Sequence, residues 1–381
     1  MNDKVVLTAP ARGYAAYRSE IDSAVRRVLE SGWYILGREV SAFEQAFASY
    51  CAVRHAVGVA NGTDAIHLAL RSLQVGHGDA VFTVSHTATA TVAGIGMSGA
   101  TPVLVDVDEL TYTIDLQKLA DSIKGYARSG AAGRPRAVVA VHLYGHPCSL
   151  RELRALCDQH QLFLIEDCAQ AHGATYGSKP VGAFGDAAAF SFYPTKNLAA
   201  FGDGGAVVLA DNEVAQRCRA LREYGWYTRY LSDIPGVNSR LDELQAAILS
   251  VRLKHLDAEL ESRRAVAARY NAELGAAVVT PTVRQGCQHA YHLYVVRAQP
   301  RESLRTVLSE HGIGTGIHYP APVHRQQTYA GTPVGAGGLE VTERLQTQIL
   351  SLPMHPFLST SEVTQVVTAA GVWHKQRQTS P

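Results

Sequence analysis

Lys196 is the residue whose surroundings point most directly to chemistry. It lies in AAAFSFYPTKNLAAFGDGG, where a short apolar run ends in a polar turn, with Ser191 just upstream and Gly202, Gly204 and Gly205 behind it. Ligands of open α/β sheets gather outside strand ends, so a lysine amine there is placed as a covalent nucleophile toward a carbonyl. Taken alone, a lysine in a turn is more often a solvated surface residue, and its company decides. LFLIEDCAQAHGA ends a second apolar run on Glu166 and Asp167. A carboxylate buried at such a point needs a cationic or donating partner. A protonated pyridine nitrogen would be one, and the carboxylate of Asp167 would in turn keep that ring protonated and electron-withdrawing. Gln170 is then in place to donate to the ring phenolate oxygen, although an Asp that merely caps the following segment is an equally good account of this stretch. NGTDAIHLAL sets Asn61, Gly62 and Thr63 between a strand and a helix, where free backbone N–H groups and the positive helix end favour a phosphate. One exposed helix-end contact contributes only ~0.3–1 kcal/mol, so tight holding requires further donors, for which the hydroxyls of Thr63 and Ser191 are candidates. His86, in TVSHTATAT, could stack its imidazole on a pyridine ring, while a lone histidine at a strand end is more often structural. No single one of these signals convinces. Four strand ends that each offer a group required by pyridoxal 5′-phosphate (PLP) do.

The elements that must position these residues are legible as alternating runs. HAVGVAN from His55, AVFTVS from Ala80, TPVLVDVD from Thr101, RAVVAVHLYG from Arg136, LFLIEDC from Leu162, AAAFSFY from Ala187 and GAVVLAD from Gly205 predict seven strands. They are nearly continuously apolar, as expected of strands covered by helices on both faces. Between them TDAIHLALRSL, with Thr63 or Asp64 placed to cap, and SLRELRALCDQH, with Ser149 and Glu152 spaced as a capping box, predict crossover helices. From Asp242 a long helical stretch reads as a spine between two domains. After Ala276, VVTP, YHLYVVR and RESLRTVLSEHG predict a smaller α+β domain ending near Trp373, with a frayed tail KQRQTSP. The expected fold is α/β: a large domain, residues 1–250, with a mostly parallel seven-stranded sheet sandwiched by helices, and a small C-terminal domain, residues 251–381.

Three other patterns compete and are set aside. Gly94, Gly96 and Gly99 match a dinucleotide fingerprint in spacing, but the run closes a helix instead of opening one, so the glycines are read as easing helix–sheet packing. His142, His146 and Cys148 suggest zinc, yet they end a strand and enter a proline turn, which spoils the shared face a ligand set needs. His318 and His324 flank two prolines in HYPAPVH and have the same weakness as metal ligands; the segment reads as an active-site loop, with His318 and Tyr319 as candidate contacts to substrate. No metal is expected.

Composition narrows the partner. Lys plus Arg number 35 against 34 Asp plus Glu, so nothing concentrates the chain along nucleic acid or an anionic membrane. Six cysteines without a C-x-x-C pair, and no secretory pattern at the N-terminus, lead us to expect a reducing cytoplasm. No uncharged apolar run reaches the ~18–20 residues of a spanning helix. A small molecule is the expected substrate.

On FSFYPTKN followed by GDGGA, and on SGWYILGREVSAFEQAFASY, VANGTDAIHLAL, TPVLVDVD, VHLYGHP, IEDCAQAHGA, GVNSRLDELQAAIL, YHLYVVR and GIGTGIHYPAPVH, the chain resembles the DegT-type sugar aminotransferases, a branch of the aspartate-aminotransferase fold. The resemblance runs nearly end to end. It implies PLP as cofactor, with Lys196 as the Schiff-base lysine, Asp167 on the pyridine nitrogen and Gln170 on the ring hydroxyl. Gly62, Thr63 and Ser191 would take the phosphate, and His86 falls where such enzymes stack a ring on the cofactor. Asn238 would reach the phosphate of a neighbouring subunit's cofactor, which implies a homodimer. Members with histidine at the lysine position act as dehydratases, and Lys196 argues against that chemistry here. The closest resemblance is to members that aminate C3 of a dTDP-3-keto-6-deoxyhexose with L-glutamate as donor. A cyclitol, or C4 of a UDP- or GDP-sugar, is the competing substrate, and a regulatory protein without turnover is the competing class. Ala88 and Thr89 depart from the family, where an aromatic and bulky residues are common, which bears on stacking and on sugar choice.

Overall fold

The computed structural model describes residues 4–128 and 133–379. Seven strands, all foreseen within a few residues of their bounds, form one sheet: β1 (His55–Val59), β2 (Asp79–Val84), β3 (Thr101–Val105), β4 (Arg134–Val141), β5 (Phe163–Asp167), β6 (Ala187–Ser191) and β7 (Gly205–Leu209). Their spatial order is β1-β7-β6-β5-β4-β2-β3. Only β7 runs against its neighbours, so β1, β2, β4, β5 and β6 all deliver their C-terminal ends to one edge. In register, Val59 and Ser191 both face Gly205, which sets the ends of β1 and β6 level with each other on either side of β7.

Strand alternation explains the continuous apolar runs. Phe82, Val138, Leu164 and Phe190 enter one core, while Val81, Val139, Ile165 and Ala189 enter the other, on the face covered by the helix Gly62–Ser72. A residue of either parity is therefore buried. The helix Thr89–Met97 lies against Gly62–Ser72 so closely that a Cβ at Gly94 would come within 2.8 Å of Ile66 Cβ. Gly94 thus serves helix–helix contact, not the helix–sheet packing expected from sequence, whereas a Cβ at Gly96 would meet nothing within 4 Å and Gly99 sits at φ 88° against the His77 ring.

The long helix Glu243–Leu274 buries residues around its whole circumference, including Ala247, Leu256, Ala267 and Tyr270, because it touches both the sheet domain and the C-terminal core. That second core joins the antiparallel pair Tyr294–Arg297 and Ile349–Leu352 to the helices Arg301–Glu310 and Thr360–Thr379, with Val5 from the opposite end of the chain packed among them. Residues 375–379 continue the last helix rather than fraying from it; 380 and 381 lie outside the described residues. Two capping expectations fail. Asn61, not Thr63 or Asp64, caps its helix, accepting from Asp64 N–H at 2.8 Å. Ser149 makes no capping hydrogen bond, and Glu152 is drawn away to the Tyr176 hydroxyl at 3.0 Å. Among the described residues no helix is long and apolar enough to cross a membrane. All six cysteines are free thiols.

Candidate active site

A cavity of about 470 Å³ opens at the C-terminal edge of the sheet. Gly62, Thr63, Asp167, Gln170, Ser191 and Lys196 line it. So do His318 and Tyr319 from the C-terminal half. The fold separates the two adjacent carboxylates that sequence left together. Glu166 points to one face and accepts from His142 Nε2 at 3.0 Å and from the amides of Gly182, Phe184 and Gly185 at 2.8 Å each. Burial opposes its charge, yet His142 and the Gly182 and Gly185 amides hold its carboxyl below the ordinary value. Its accepting capacity is spent. Asp167, on the other face, has Thr91 Oγ1 donating to Oδ2 at 2.8 Å and Ala169 N–H to Oδ1 at 3.1 Å, and turns its remaining capacity toward the cavity it lines. Burial pushes the Asp167 carboxyl up, against the pull of Thr91, Ala169 and the Lys196 charge. The amine of Lys196 is pushed down to about 8 by burial, against the attraction of Asp167. A buried carboxylate short of a cation and a lysine short of its proton thus share one cavity.

The same cavity carries a candidate anion cradle. Gly62 and Thr63 open their helix, so their N–H groups have no intrahelical acceptor and border the cavity. A Cβ on Gly62 would stand 2.6 Å from Ser191 Cβ, so only glycine lets the helix end approach β6 and bring the Ser191 hydroxyl alongside its amides. Gly62→Ala is expected to push these apart, weakening PLP binding at least tenfold in an absorbance titration and destabilising the fold by about 1–3 kcal/mol, the usual cost of overpacking. Unchanged cofactor affinity would show that the phosphate sits elsewhere.

Residues 16–370 match the DegT/DnrJ/EryC1/StrS aminotransferase family. The chain belongs to that family. It is 46% identical to the dTDP-3-amino-3,6-dideoxy-α-D-galactopyranose transaminase of Aneurinibacillus thermoaerophilus over 93% of this chain and 95% of that protein. It is 45% identical to the dTDP-3-amino-3,4,6-trideoxy-α-D-glucose transaminase of Streptomyces venezuelae over 94% of this chain and 93% of that one. The crystal structure of S. venezuelae DesV in complex with a ketimine intermediate superposes with a TM-score of 0.93 at 43% identity, covering 98% of this chain and 99% of that chain.

The cofactor of this DegT-family aminotransferase is PLP. The donor set fits it on three counts visible in the structure: free amides and a hydroxyl for a phosphate, a carboxylate with open capacity for a ring cation, and a primary amine for a carbonyl. One expected residue stands elsewhere. His86 does not line the cavity; it lies behind it, 3.0 Å from the Tyr144 hydroxyl and packed on Tyr112, so it offers no face to a ring. What borders the cavity after β2 is Thr87, Ala88, Ala90 and Thr91. Asn238 is exposed on a loop away from this chain's own cavity, with its backbone bridged to Glu223.

In the metal decoys the ring nitrogens of His142, His146 and His324 are already engaged in hydrogen bonds within the protein. His142 accepts the Cys148 N–H on Nδ1 at 3.0 Å and faces saturated Glu166 with Nε2, which engages two members of the buried cluster His142, Glu166 and Cys168. His146 is divided between the Pro147 carbonyl and the Arg284 N–H. His324 is divided between Ser85 at 2.7 Å and Glu343 at 3.1 Å.

Sequence reasoning missed Leu7, Thr8, Thr91, Tyr193 and His292, all of which border the cavity. His292 is buried beside Lys196 and His318; Nδ1 is sealed without a partner, and burial first, then the Lys196 charge, pushes the imidazole well below its ordinary value. YHLYVVR was read only as a strand, and nothing in it separates His292 from a core histidine. Leu7 and Thr8 carry no sequence signal at all.

Proposed function

We propose that this enzyme transfers the amino group of L-glutamate to a nucleotide-linked keto-deoxysugar, C3 of a dTDP-3-keto-6-deoxyhexose, and works as a cytoplasmic homodimer. The observation that carries the reading is the sharing of one cavity by Lys196, Asp167 and the Gly62–Thr63–Ser191 cradle. The named substrates of the two relatives above are both 3-amino dTDP-sugars, which supports the choice of carbon and nucleotide. When bound, PLP supplies an electron sink for the carbon that gives or receives nitrogen.

The chain's own residues do the rest. The amides of Gly62 and Thr63 and the hydroxyls of Thr63 and Ser191 hold the phosphate. Asp167, fixed by Thr91 and the Ala169 amide, keeps a proton on the pyridine nitrogen. Gln170 accepts from Tyr144 N–H and donates one amide hydrogen to the Tyr319 hydroxyl at 3.0 Å, leaving its second for the ring oxygen. Lys196 Nζ takes a proton from the donor's α-carbon and returns it at the far end of the transfer, a task that suits an amine poised near pH 8. His318 and Tyr319 face the substrate; Tyr319, raised to about 12 by burial and then by Asp167, stays protonated and can donate.

Exposed side chains support a second copy. Trp33, Tyr227, Tyr230 and Leu231 are each more than half exposed. Such apolar area on one chain marks an interaction surface. Tyr227, Tyr230 and Leu231 sit on the hairpin Trp226–Ser232, close in sequence to Asn238, which would enter the neighbour's phosphate site.

The deciding experiment is mass spectrometry of products from matched 3-keto and 4-keto sugars on dTDP, UDP and GDP, with glutamate. The expected result is an amine from the dTDP-3-keto sugars at a rate at least ~10²-fold above the 4-keto series, the scale on which a site built for one hydrogen-bonding pattern rejects another. Turnover confined to a 4-keto or UDP-linked sugar would replace this substrate. No amine from any of them, with an unchanged spectrum on adding glutamate, would favour a regulatory protein.

A further inference from the structure

Behind the cavity wall, the segments that follow β2 and β4 and a loop of the C-terminal half meet at one hydroxyl. Tyr144 follows β4 with φ 61°, a left-handed backbone that aromatic residues rarely adopt, and the bend sends its two polar groups in different directions. Its hydroxyl donates to the His318 carbonyl at 2.5 Å and lies 3.0 Å from His86 Nε2. A phenol has one proton and a carbonyl only accepts, so His86 Nε2–H is the donor to the tyrosine oxygen. Burial pushes His86 down to about 4, which keeps the imidazole neutral at working pH. The main-chain N–H of Tyr144 donates to Gln170 Oε1 at 2.7 Å, and Gln170 Nε2 donates to the Tyr319 hydroxyl at 3.0 Å. Tyr144 therefore grips the His318–Tyr319 segment at two points, once on its backbone and once, through Gln170, on the Tyr319 ring.

The grip crosses between the two halves of the molecule. His318 and Tyr319 come from the C-terminal half, and His318 Nδ1 is anchored there, 2.8 Å from Ser351 Oγ. Downstream, Val323 N–H donates to the Ser85 carbonyl at 3.1 Å and Thr89 Oγ1 to Gln326 at 2.9 Å, which ties the same loop to the end of β2. Tyr112 closes the group, packing on His86 and Tyr144 at 6.0 and 5.3 Å between ring centroids. Neither His86 nor Tyr144 borders the cavity, whereas His318 and Tyr319 do.

We infer that Tyr144, braced by His86, is a positioning residue that sets the His318–Tyr319 wall of the cavity and, through that wall, the fit of the amino-group acceptor. The relay itself is independent of which acceptor is used; only its kinetic consequence rests on the nucleotide-sugar reading. A nucleotide sugar spreads over more of the wall than glutamate does, so the two half-reactions should respond unequally.

Tyr144→Phe removes the hydroxyl alone, and His86→Ala removes the brace. Two measurements on the PLP-loaded enzyme test them: amide hydrogen exchange of residues 316–326, and the half-reactions followed by cofactor absorbance, with L-glutamate as donor and dTDP-3-amino-3,4,6-trideoxyglucose as the sugar probe. Tyr144→Phe is expected to raise exchange in 316–326 about tenfold and the half-saturating concentration of the sugar probe about tenfold, the scale of one lost hydrogen bond, while the glutamate half-reaction changes less than about threefold. His86→Ala should act in the same direction more weakly and add almost nothing to Tyr144→Phe, as members of one relay do. Unchanged exchange in 316–326, equal slowing of both half-reactions, or full additivity of the two substitutions would overturn the inference. If Tyr144→Phe fails to fold, His86→Ala with unaltered exchange and probe affinity overturns it, and the predicted weaker shift supports it. A wild-type enzyme that does not react with the probe counts against the substrate proposed above, and the exchange measurement then decides this inference alone.

Discussion

Lys196→Ala is expected to abolish the absorbance of lysine-bound cofactor and to reduce transamination by at least ~10²–10⁴-fold, the range for loss of a positioned general acid–base group, with covalent capture lost in addition. The expectation rests on placement: Lys196 borders the cavity with its amine pushed down to about 8 by burial. Removing the amine leaves Asp167, already burdened by burial, without a positive charge that pulls its carboxyl down. The same depression sets a pH signature in the wild type. Only the neutral amine attacks a carbonyl, and for a group titrating near 8 its fraction climbs as pH rises from 7 to 9. Recombination of the PLP-free enzyme with PLP should therefore accelerate over that interval and level off above it. A rate flat from pH 7 to 9, or a substituted enzyme that keeps both absorbance and turnover, would remove Lys196 from the reaction.

Asp167→Asn is expected to lower kcat by roughly 10²–10³-fold, the loss seen when one preorganised charge-stabilising group is removed, because an amide cannot hold the ring nitrogen protonated. Stability should move differently from rate. The Asp167 carboxyl is raised above its unfolded value by burial, so its ionised form works against the PLP-free fold. For a group raised in this way, the contribution to stability is most favourable at pH below its unfolded value and is lost as pH climbs through the folded one. At neutral pH the PLP-free Asn variant should thus melt no lower than the wild type, while the rise in Tm on adding PLP shrinks. Thermal melts of both proteins, with and without PLP, separate these terms. Near-wild-type turnover, or an unaltered PLP-dependent rise in Tm, would mean that the ring nitrogen does not meet this carboxylate.

Much of the architecture is legible because it is written locally. A strand covered on both faces shows itself as a nearly continuous apolar run, as in AVFTV at β2 and LFLI at β5, whatever the rest of the chain does. The long helix Glu243–Leu274 declares itself by apolar spacing over many turns. Lys196, Ser191 and Gly62 each stand just past such a run, and parallel strands deliver their ends to one edge, so their meeting in one cavity follows from the order of elements.

Partner choice is not written locally. Thr91 and Asp167 are 76 residues apart and meet at 2.8 Å, and Tyr144 reaches His318 across 174. His86 stands at the right strand end for a stacking residue, but the chain's path after Val84 turns its ring behind the wall toward Tyr144. Ser149 and Glu152 have the spacing of a capping box, yet Tyr176 offers the glutamate another donor. The choice between Glu166 and Asp167 shows the division most plainly. Their identity and adjacency come from the sequence, and adjacency in a strand guarantees only that they point to opposite faces. Which face holds three waiting amides and a histidine, and which opens on a cavity, depends on segments remote in the chain that converge only when it folds, because a hydrogen bond is decided by position to within a fraction of an ångström and not by residue type.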